Sequence, residues 1–345
     1  MDHSSERGIH DILARYPRPF QPMDQPQSLG GAGGFSGARF WRYRSAEGLL
    51  VLRLWPPHSP GRAHLEQVHQ WLRLAEDLDF VPAPIADRWG RTLQEHEGGF
   101  WELARWMTGA AEVARPPAPA RLRSALAAMA AFHQRLGVER RTGISLGLGH
   151  RHEAVAHLLR GGFDALERAI RASRDKARPI AMRWLGLARV VAPRLSAPLR
   201  EAAGRPAPLQ PCLRDARPEH FLFEEDRVTG LVDFGAMRVD CVAGDLARLM
   251  GEWLDKDPTA RAEALAAYER IRPLDAGEAA LIDAFASSSA LLIGEHWIRW
   301  HYIERRRFDE PAADVQGIAR GLAHLEWLAL GGESHIRALS LPSRD

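Results

Sequence analysis

Apolar residues in the first third of the chain occur in short runs that favour β-strands. Runs of about four to eight residues bounded by Gly or Pro are typical of strands. Between these runs, segment 61–77 predicts an amphipathic helix whose apolar stripe contains Leu65, Val68, Trp71, Leu72 and Ala75. We therefore expect one helix and a five-stranded sheet, with strands at 40–43, 48–55, 80–85, 91–95 and 99–106.

The pattern changes after Gly109, beyond which apolar residues recur at helical spacing. This change predicts an α+β protein in three parts. Residues 1–28 form a short helix and a Pro- and Gln-rich linker, 29–106 form the sheet and its helix, and 107–345 form a larger, mainly helical part. The helices predicted in the last part lie at 121–136, 153–172, 180–195, 245–254, 261–271, 279–302 and 315–330.

Composition and charge exclude several classes of protein. A formal net charge of +2 over 345 residues gives no reason to expect nucleic acid or a membrane surface as a partner. Two cysteines, Cys212 and Cys241, imply no disulfide framework and favour a reducing compartment. The polar N-terminus lacks a signal core, and no apolar run approaches the roughly 20 residues that span a bilayer. We expect a soluble, cytoplasmic protein, and the sequence does not indicate its oligomeric state.

Two features of the first third suit the binding of phosphate. Arg53 is the single charge in an apolar strand, and a guanidinium fork can bind phosphate bidentately. The alternative is an Arg in solvent at a strand edge. A Gly-rich turn also precedes the strand at 40–43, and backbone N–H groups in such a turn can approach phosphate oxygens. Taken alone this is more often a plain turn; its candidate residues are Gly31, Gly33, Gly34, Ser36 and Gly37.

The strongest chemical pattern lies at 212–220 and 231–235. Asp215 opens a polar loop before the apolar run 221–223, and Asp233 ends a second apolar run. The segment between them, 224–230, reads as a hairpin connection. We expect two short strands that bring both carboxylates to one edge, an arrangement that suits a metal-bound phosphate beside a base.

These motifs resemble the catalytic segment of kinases, in which His-Arg-Asp, four residues and Asn precede Asp-Phe-Gly. The sequence reads Leu-Arg-Asp at 213–215, His220 at the Asn position, and Asp-Phe-Gly at 233–235. Together with Gly-Asp at 244–245, this is similar to the aminoglycoside phosphotransferase family over about 29–330. The resemblance implies a bilobal protein-kinase-like fold: a small N-terminal lobe with an antiparallel sheet and a helix, and a larger helical lobe.

The resemblance also implies roles for individual residues. Asp215 would be the catalytic base, Asp233 would ligate Mg²⁺, and Arg53 would contact the phosphates of ATP. Glu66 is the candidate acid that pairs with Arg53, the alternative being a solvated helix carboxylate. Arg217 would approach the transferring phosphoryl group or remain solvated. A linker backbone marked by Glu102, Leu103 and Ala104 would bind the adenine edge.

Two positions depart from the family pattern. Leu213 replaces the usual His, and His220 replaces the metal-binding Asn. Because an imidazole nitrogen is a poorer ligand for Mg²⁺ than for Mn²⁺ or another transition metal, three outcomes remain open. His220 ligates a metal directly, acts through water, or leaves the second metal position unused.

The leading hypothesis is an ATP-dependent phosphotransferase acting on a hydroxyl group of a small molecule. The alternative is a degenerate kinase-like protein that binds a nucleotide or a partner without efficient turnover. A protein kinase is disfavoured because no Ala-Pro-Glu segment follows Gly235. The acceptor stays open, since nothing in the sequence indicates an acidic pocket for a polycation.

Other residues with reactive side chains are expected to be structural. We interpret His133 as a packed or hydrogen-bonded helix residue, Cys212 as a small buried thiol, and Asp245 as a helix N-cap. Segment 295–301 lacks the spacing that places two His ligands one helical turn apart, so it predicts a packed aromatic helix.

Overall fold

The computed structural model describes residues 3–31, 37–56, 60–112, 114–254, 257–306, 308 and 312–332. The chain forms two compact units. The first unit comprises 1–112, 134–136 and 219–237, and the second comprises 113–133, 137–218 and 238–345. The mixture of antiparallel sheets and helices confirms the predicted α+β fold class. The hairpin around 221–231 lies in the first unit, whereas the predicted boundary at 106 placed it in the C-terminal part.

The first unit contains the predicted five-stranded antiparallel sheet, but one strand is not the predicted one. The order is β1 (Gln27–Gly30), β2 (Arg39–Ser45), β3 (Gly48–Leu54), β5 (Gly99–Arg105) and β4 (Leu93–His96). Segment 80–85, predicted as a strand, is not one. Pro82 and Pro84 have no backbone N–H to donate to a ladder, and Ile85 N makes one bond, of 2.8 Å, to Leu103 O.

Two helices pack in the first unit. Helix α1 (His3–Leu13) buries Ile9, Ile12 and Leu13 in one core cluster with Trp41 and Leu52 of the sheet, so this N-terminal segment contributes to the core. Helix α2 (Arg62–Leu74) buries the predicted stripe of apolar residues. Each fully buried Leu or Ile contributes roughly 1.5–3 kcal/mol relative to an exposed one.

A second, smaller sheet of the first unit carries the hairpin. Its order is β10 (Arg227–Leu231), β9 (Phe221–Glu224) and β6 (Ala110–Ala111). The turn between β9 and β10 consists of Glu225 and Asp226, and Glu225 has a φ of 53°. The predicted hairpin is therefore confirmed with a shorter turn. Asp233 follows β10, whereas Asp215 is not on the hairpin.

In the second unit, Asp215 follows a strand that the sequence did not reveal. The order of this sheet is β11 (Arg238–Asp240), β8 (Pro206–Cys212) and β7 (Arg141–Ile144). The helices are α3 (Pro119–Leu136), α4 (Leu146–His157), α5 (Phe163–Ala172), α6 (Arg178–Gly204), α7 (Ala243–Trp253), α8 (Pro258–Glu269), α9 (Ala276–Tyr302) and α10 (Ala313–Trp327). The helix predicted at 153–172 is two helices, because Gly161 adopts a φ of 122° and breaks the path between α4 and α5.

Helix α9 is the central helix of the second unit. It packs against α6, α7 and α10. Within the described chain it is the one helix long and apolar enough to cross a membrane, and 44% of its most apolar window is buried. Burial against these helices explains the apolar composition of α9 as well as a membrane span would. At the crossing with α10, a Cβ on Gly321 would overlap the backbone of Gly294, so the two helices touch through their main chains.

Candidate active site

Arg53 on β3 lies between two carboxylates and two aromatic rings. Its Nη1 is 3.6 Å from Glu102 Oε1, and its Nη2 is 3.8 Å from Asp233 Oδ1. The guanidinium carbon lies 3.4 Å from the centroid of the Trp55 ring and 5.3 Å from that of Phe40. Its buried Nε has no hydrogen-bond partner among the described residues. These contacts hold the guanidinium of Arg53 in a fixed position.

Glu102, rather than Glu66, holds Arg53. Glu102 lies directly opposite Arg53 in the pairing of β3 with β5. Its Oε2 accepts hydrogen bonds from His69 Nε2 at 2.7 Å and Trp55 Nε1 at 2.9 Å. Burial alone would raise the pKa of Glu102, but the hydrogen bond and charge of His69, the charge of Arg53 and the Trp55 bond hold it below its ordinary value. Glu102 is therefore an ionised, partly buried partner of Arg53.

The predicted pairing of Arg53 with Glu66 is wrong. Glu66 forms an ion pair of 3.1 Å with Arg62, one helical turn away, and its side chain is 47% exposed. The exposed pair of Arg62 and Glu66 forms within one helix. The pair of Arg53 and Glu102, in contrast, depends on the register between β3 and β5. The signal in the sequence was the single carboxylate of β5, Glu102, which lies opposite the single Arg of β3.

The interpretation of 102–104 as linker backbone is also wrong. These residues lie within β5, where Leu103 pairs with Leu52 and Ala104 pairs with Val51. Leu103 O also accepts the hydrogen bond from Ile85 N at 2.8 Å. The strand ends at Arg105, so the segment free of strand pairing begins after it.

We expect the two carboxylates of the first unit to differ in their effect on its stability. Glu102→Gln should lower the free energy of unfolding by about 2–3 kcal/mol, because Arg53 and His69 lose a charged partner in a poorly hydrated place. Glu66→Gln, the matched control, should change it by less than about 0.5 kcal/mol because solvent screens the exposed pair. Urea unfolding of both variants measures the difference, and equal effects would contradict the assignment of Glu102.

The Gly-rich turn lies only partly within the described residues. Gly31 follows β1 and is exposed, and Gly37 precedes β2 with a φ of 72°. The antiparallel pairing of β1 with β2 places a turn between them. Gly33, Gly34 and Ser36 lie outside the described residues, so their role stays a prediction.

Asp233 and His220 meet in the first unit. His220 Nε2 is 3.7 Å from Asp233 Oδ2, and the His220 side chain is 12% exposed against 48% for Asp233. Val232 N donates to His220 O at 3.0 Å, which ties the two segments together. Asp233 has a φ of 63°, a left-handed conformation that Asp tolerates better than most residues. One residue thus faces both Arg53 and His220.

The backbone after Asp233 is fixed by close packing. A Cβ on Gly235 would lie 3.0 Å from the Trp55 ring, so only glycine fits there without a shift. His64 Nε2 lies within hydrogen-bonding distance, 3.1 Å, of Gly235 O. Phe234 is buried. The Asp-Phe-Gly segment is therefore held by α2 and by the residue after β3.

In the second unit, a buried carboxylate anchors the loop that carries Asp215. Asp245 Oδ2 and Oδ1 accept hydrogen bonds of 2.7 Å from the backbone N–H groups of Leu213 and Arg214. The predicted N-cap role of Asp245 is wrong, because α7 begins at Ala243 and Val242 is its N-cap. Sequence analysis missed the anchoring role because its partners lie about thirty residues earlier.

Asp245 also contacts a buried histidine. His133 Nε2 lies 3.1 Å from Asp245 Oδ2, and His133 Nδ1 lies 2.8 Å from the Tyr268 hydroxyl. The prediction that His133 is a hydrogen-bonded helix residue is confirmed. Cys212 beside them is fully buried, which confirms the prediction of a small buried thiol, and burial raises the pKa of this thiol well above the usual value.

Asp215 itself is accessible, with a side chain that is 38% exposed. Its Oδ1 lies 3.4 Å from Arg248 Nη2, and Arg248 also pairs with Glu252 at 2.9 Å. Arg217 Nε lies 4.0 Å from the same Glu252. The predicted catalytic pair, Asp215 and Arg217, therefore lies in a cluster of arginines and carboxylates on the second unit.

The aromatic stretch of α9 is packed, as predicted. Trp297 and Trp300 stack edge to face with ring centroids 5.1 Å apart. His301 lies between Asp175 and Asp314, at 3.1 and 2.5 Å. These contacts join α9 to α10 and to the start of α6. They account for segment 295–301 without a metal ion.

The chain is similar to a known family and to several solved structures. A model described as the phosphotransferase enzyme family, APH, matches residues 30–281. Comparison with curated proteins gives no match. Similar solved structures include an aminoglycoside phosphotransferase from Alicyclobacillus acidocaldarius, with 14% identity, 95% of this chain and 96% of that chain covered, and a TM-score of 0.65.

Two further similar structures contain bound nucleotides. The amicoumacin kinase hAmiN in complex with AMP-PNP, Ca²⁺ and Ami has 12% identity and a TM-score of 0.61, and the match covers 94% of this chain and 96% of that chain. A spectinomycin phosphotransferase in complex with ADP and spectinomycin has 12% identity, coverage of 94% and 97%, and a TM-score of 0.62. At these identities, the similarity establishes the fold.

Proposed function

Because the chain belongs to the phosphotransferase enzyme family, we propose that it transfers the γ-phosphoryl group of ATP to a hydroxyl group of a small molecule. The observation that carries this proposal is the meeting of Arg53, Asp233 and His220 beside a buried, ionised Glu102. Such a set suits the binding of phosphate together with a divalent metal ion. The nucleotides in two similar structures support the choice of ATP.

Arg53 is proposed to bind the phosphates of the nucleotide. Glu102 and the Trp55 ring fix its guanidinium, whose positive charge would attract a phosphate oxygen. A fixed fork needs little reordering on binding, so the interaction costs less conformational entropy than a mobile Lys would. Gly31, Gly33, Gly34, Ser36 and Gly37 remain proposed contributors through their backbone N–H groups.

A divalent metal ion fits the pair formed by Asp233 and His220. Asp233 offers carboxylate oxygens, which suit Mg²⁺, and His220 offers an imidazole nitrogen 3.7 Å from one of them. This mixed set of donors favours Mn²⁺ over Mg²⁺. The bound ion would neutralise charge on the nucleotide phosphates.

Asp215 is proposed to orient the acceptor hydroxyl and take its proton. The bond between the γ-phosphorus and the bridging oxygen of ATP breaks, a new bond to the acceptor oxygen forms, and ADP keeps the electron pair. Asp215 is exposed enough for contact with a substrate, and Asp245 holds the loop before it. Arg217 is proposed to interact with the transferring group, although its contact with Glu252 suits a structural role equally well.

A test of this proposal follows the label from γ-labelled ATP to a panel of hydroxylated small molecules, with Mg²⁺ or Mn²⁺. We expect transfer that depends on Asp215. The second candidate, a degenerate kinase-like protein, is favoured by Leu213 and His220 at positions that kinases normally fill with His and Asn. Nucleotide-induced thermal stabilisation without transfer to any acceptor would support that second candidate and overturn the first.

His220→Asn should change the metal preference of the protein. We expect the natural protein to work better with Mn²⁺ than with Mg²⁺, and the variant to shift this ratio about tenfold toward Mg²⁺, because an amide oxygen replaces the imidazole nitrogen. The measurement is kcat/KM for ATP with each metal. His10→Asn, at an exposed position on α1, is the control. If the natural protein prefers Mg²⁺ and His220→Asn does not change this preference, His220 is not part of the metal site.

A further inference from the structure

Arg151 on α4 is a partly buried cation without an acidic partner in the described chain. Its Nη1 donates to Ser289 Oγ at 2.9 Å and Ser288 Oγ at 3.4 Å. Its other two nitrogens have no acceptor among the described residues. The guanidinium also lies 5.4 Å from the centroid of the Phe285 ring. Neutral hydroxyl groups and a ring leave this partly buried charge without an opposite charge beside it.

The charge is retained in spite of this environment. Burial, followed by the charges of Arg248 and Arg214, lowers the pKa of Arg151 to about 10. Arg151 is therefore still protonated at neutral pH. The two neighbouring arginines also show where Arg151 lies: Arg214 immediately precedes Asp215, and Arg248 contacts it at 3.4 Å.

The carboxylates of this region already have cationic partners. Arg248 pairs with Asp215 and with Glu252. Arg261 pairs with Asp283 at 3.2 Å, and Arg214 pairs with Asp240. Within the described part of this region, Arg151 is the cation left over. An anion supplied from outside the chain would complete the set.

A small cavity borders two of these groups, Ser289 and Arg248. It measures about 50 Å³; Arg248, Glu252, Arg261 and Ser289 are among its lining residues, and Arg151 is not. Ser289 accepts the shorter of the two hydrogen bonds from Arg151, and Arg248 contacts Asp215. A water molecule needs roughly 10–15 Å³ of such space, so the cavity admits about three to five water-sized groups. Because Arg151 does not line the cavity, it is connected to this space through Ser289.

We propose that the small-molecule acceptor carries a carboxylate or a phosphate in addition to the hydroxyl that is phosphorylated, and that Arg151 binds this anionic group. This inference rests on the proposed function and specifies its substrate class as hydroxy acids or polyol phosphates. Asp215 takes the proton of the hydroxyl, and the anionic group stays unchanged while it orients the molecule. The surplus of positive charge around Arg151 disfavours a polycationic acceptor.

The experiment combines transfer and binding on the full-length protein. Transfer from γ-labelled ATP is measured to glycerate, gluconate and glycerol phosphate, to the neutral glycerol and erythritol, and to the cationic ethanolamine and spectinomycin. Thermal stabilisation by the three anions is measured in parallel, because ligand binding raises the apparent stability. Both assays use the natural protein, Arg151→Met, and the control Arg194→Met. Arg194 is an exposed arginine of α6.

We expect transfer to at least one anionic acceptor, with kcat/KM reduced about 10- to 100-fold in Arg151→Met and unchanged in Arg194→Met. Stabilisation by that anion should be lost in the same variant. Loss of a positioning contact should leave the rate with a neutral acceptor unchanged, whereas misfolding would lower every rate.

Two results would overturn the inference. Transfer confined to neutral or cationic acceptors, unaffected by Arg151→Met, would refute it and leave the proposed function intact. If the three anions stabilise the natural protein and Arg151→Met equally, or stabilise neither protein, the inference is refuted whether or not transfer occurs. The reverse case, anion binding that depends on Arg151 without any transfer, would overturn the proposed function alone.

Discussion

Asp215→Asn should lower the rate of phosphoryl transfer by about 10²- to 10⁴-fold, the usual contribution of a general base. The amide is nearly the same size as the carboxylate but cannot accept the proton of the hydroxyl. The Asp215 side chain is 38% exposed and its ion pair with Arg248 is partly solvated, so the fold should tolerate the change. Single-turnover transfer from ATP measures the rate, and thermal unfolding measures the stability.

The matched control for this prediction is Asp79→Asn, an exposed carboxylate that pairs with Arg227. It should leave the transfer rate within about twofold of the natural protein, as surface substitutions usually do. Nucleotide-induced stabilisation should persist in both variants. If Asp215→Asn retains the natural rate, Asp215 is not the base, and the assignment of the loop at 213–220 fails with it.

The second large effect concerns stability. Asp245→Ala should lower the free energy of unfolding by about 3–5 kcal/mol. The substitution leaves the buried N–H group of Leu213 and the partly buried N–H group of Arg214 without their acceptor, and His133 loses a partner as well. Urea unfolding of the purified protein measures the change.

Asp257→Ala tests whether burial is the reason for this effect. Asp257 also accepts two backbone hydrogen bonds, from Thr259 N at 2.9 Å and Ala260 N at 3.1 Å, but it is an exposed helix N-cap. Loss of such a cap typically costs about 1 kcal/mol, since water replaces the missing acceptor. Similar losses in the two variants would show that Asp245 is no more than an ordinary cap.

Much of the first unit could be predicted from the sequence, because its signals are local. Helical spacing of apolar residues is sufficient to predict α2, and short apolar runs are sufficient to predict the strands at 48–55 and 99–106. The predicted strand at 80–85 failed for an equally local reason: its apolar residues alternate with prolines, which remove the donors that a ladder requires.

The partners of charged residues were not predictable in the same way. Arg53 and Glu66 lie in adjacent elements and look like a pair, yet the register between β3 and β5 places Glu102 opposite Arg53. Asp245 has the local appearance of an N-cap, and its actual partners are about thirty residues earlier in the chain. Such contacts arise from tertiary packing, which hydrophobic periodicity does not encode.

The main-chain contact between α9 and α10 has a consequence for how this protein diversifies. A larger residue at Gly294 would overlap the Trp184 ring, and one at Gly321 would overlap the backbone of Gly294. The position of α9 is therefore fixed at this crossing. Ser288 and Ser289 lie about one and a half turns away on the same rigid helix. A substitution at either serine therefore changes the hydrogen-bond acceptor offered to Arg151 without moving α9. If Arg151 binds the acceptor as proposed, point mutation at these two positions would change the choice of acceptor and leave the scaffold unchanged.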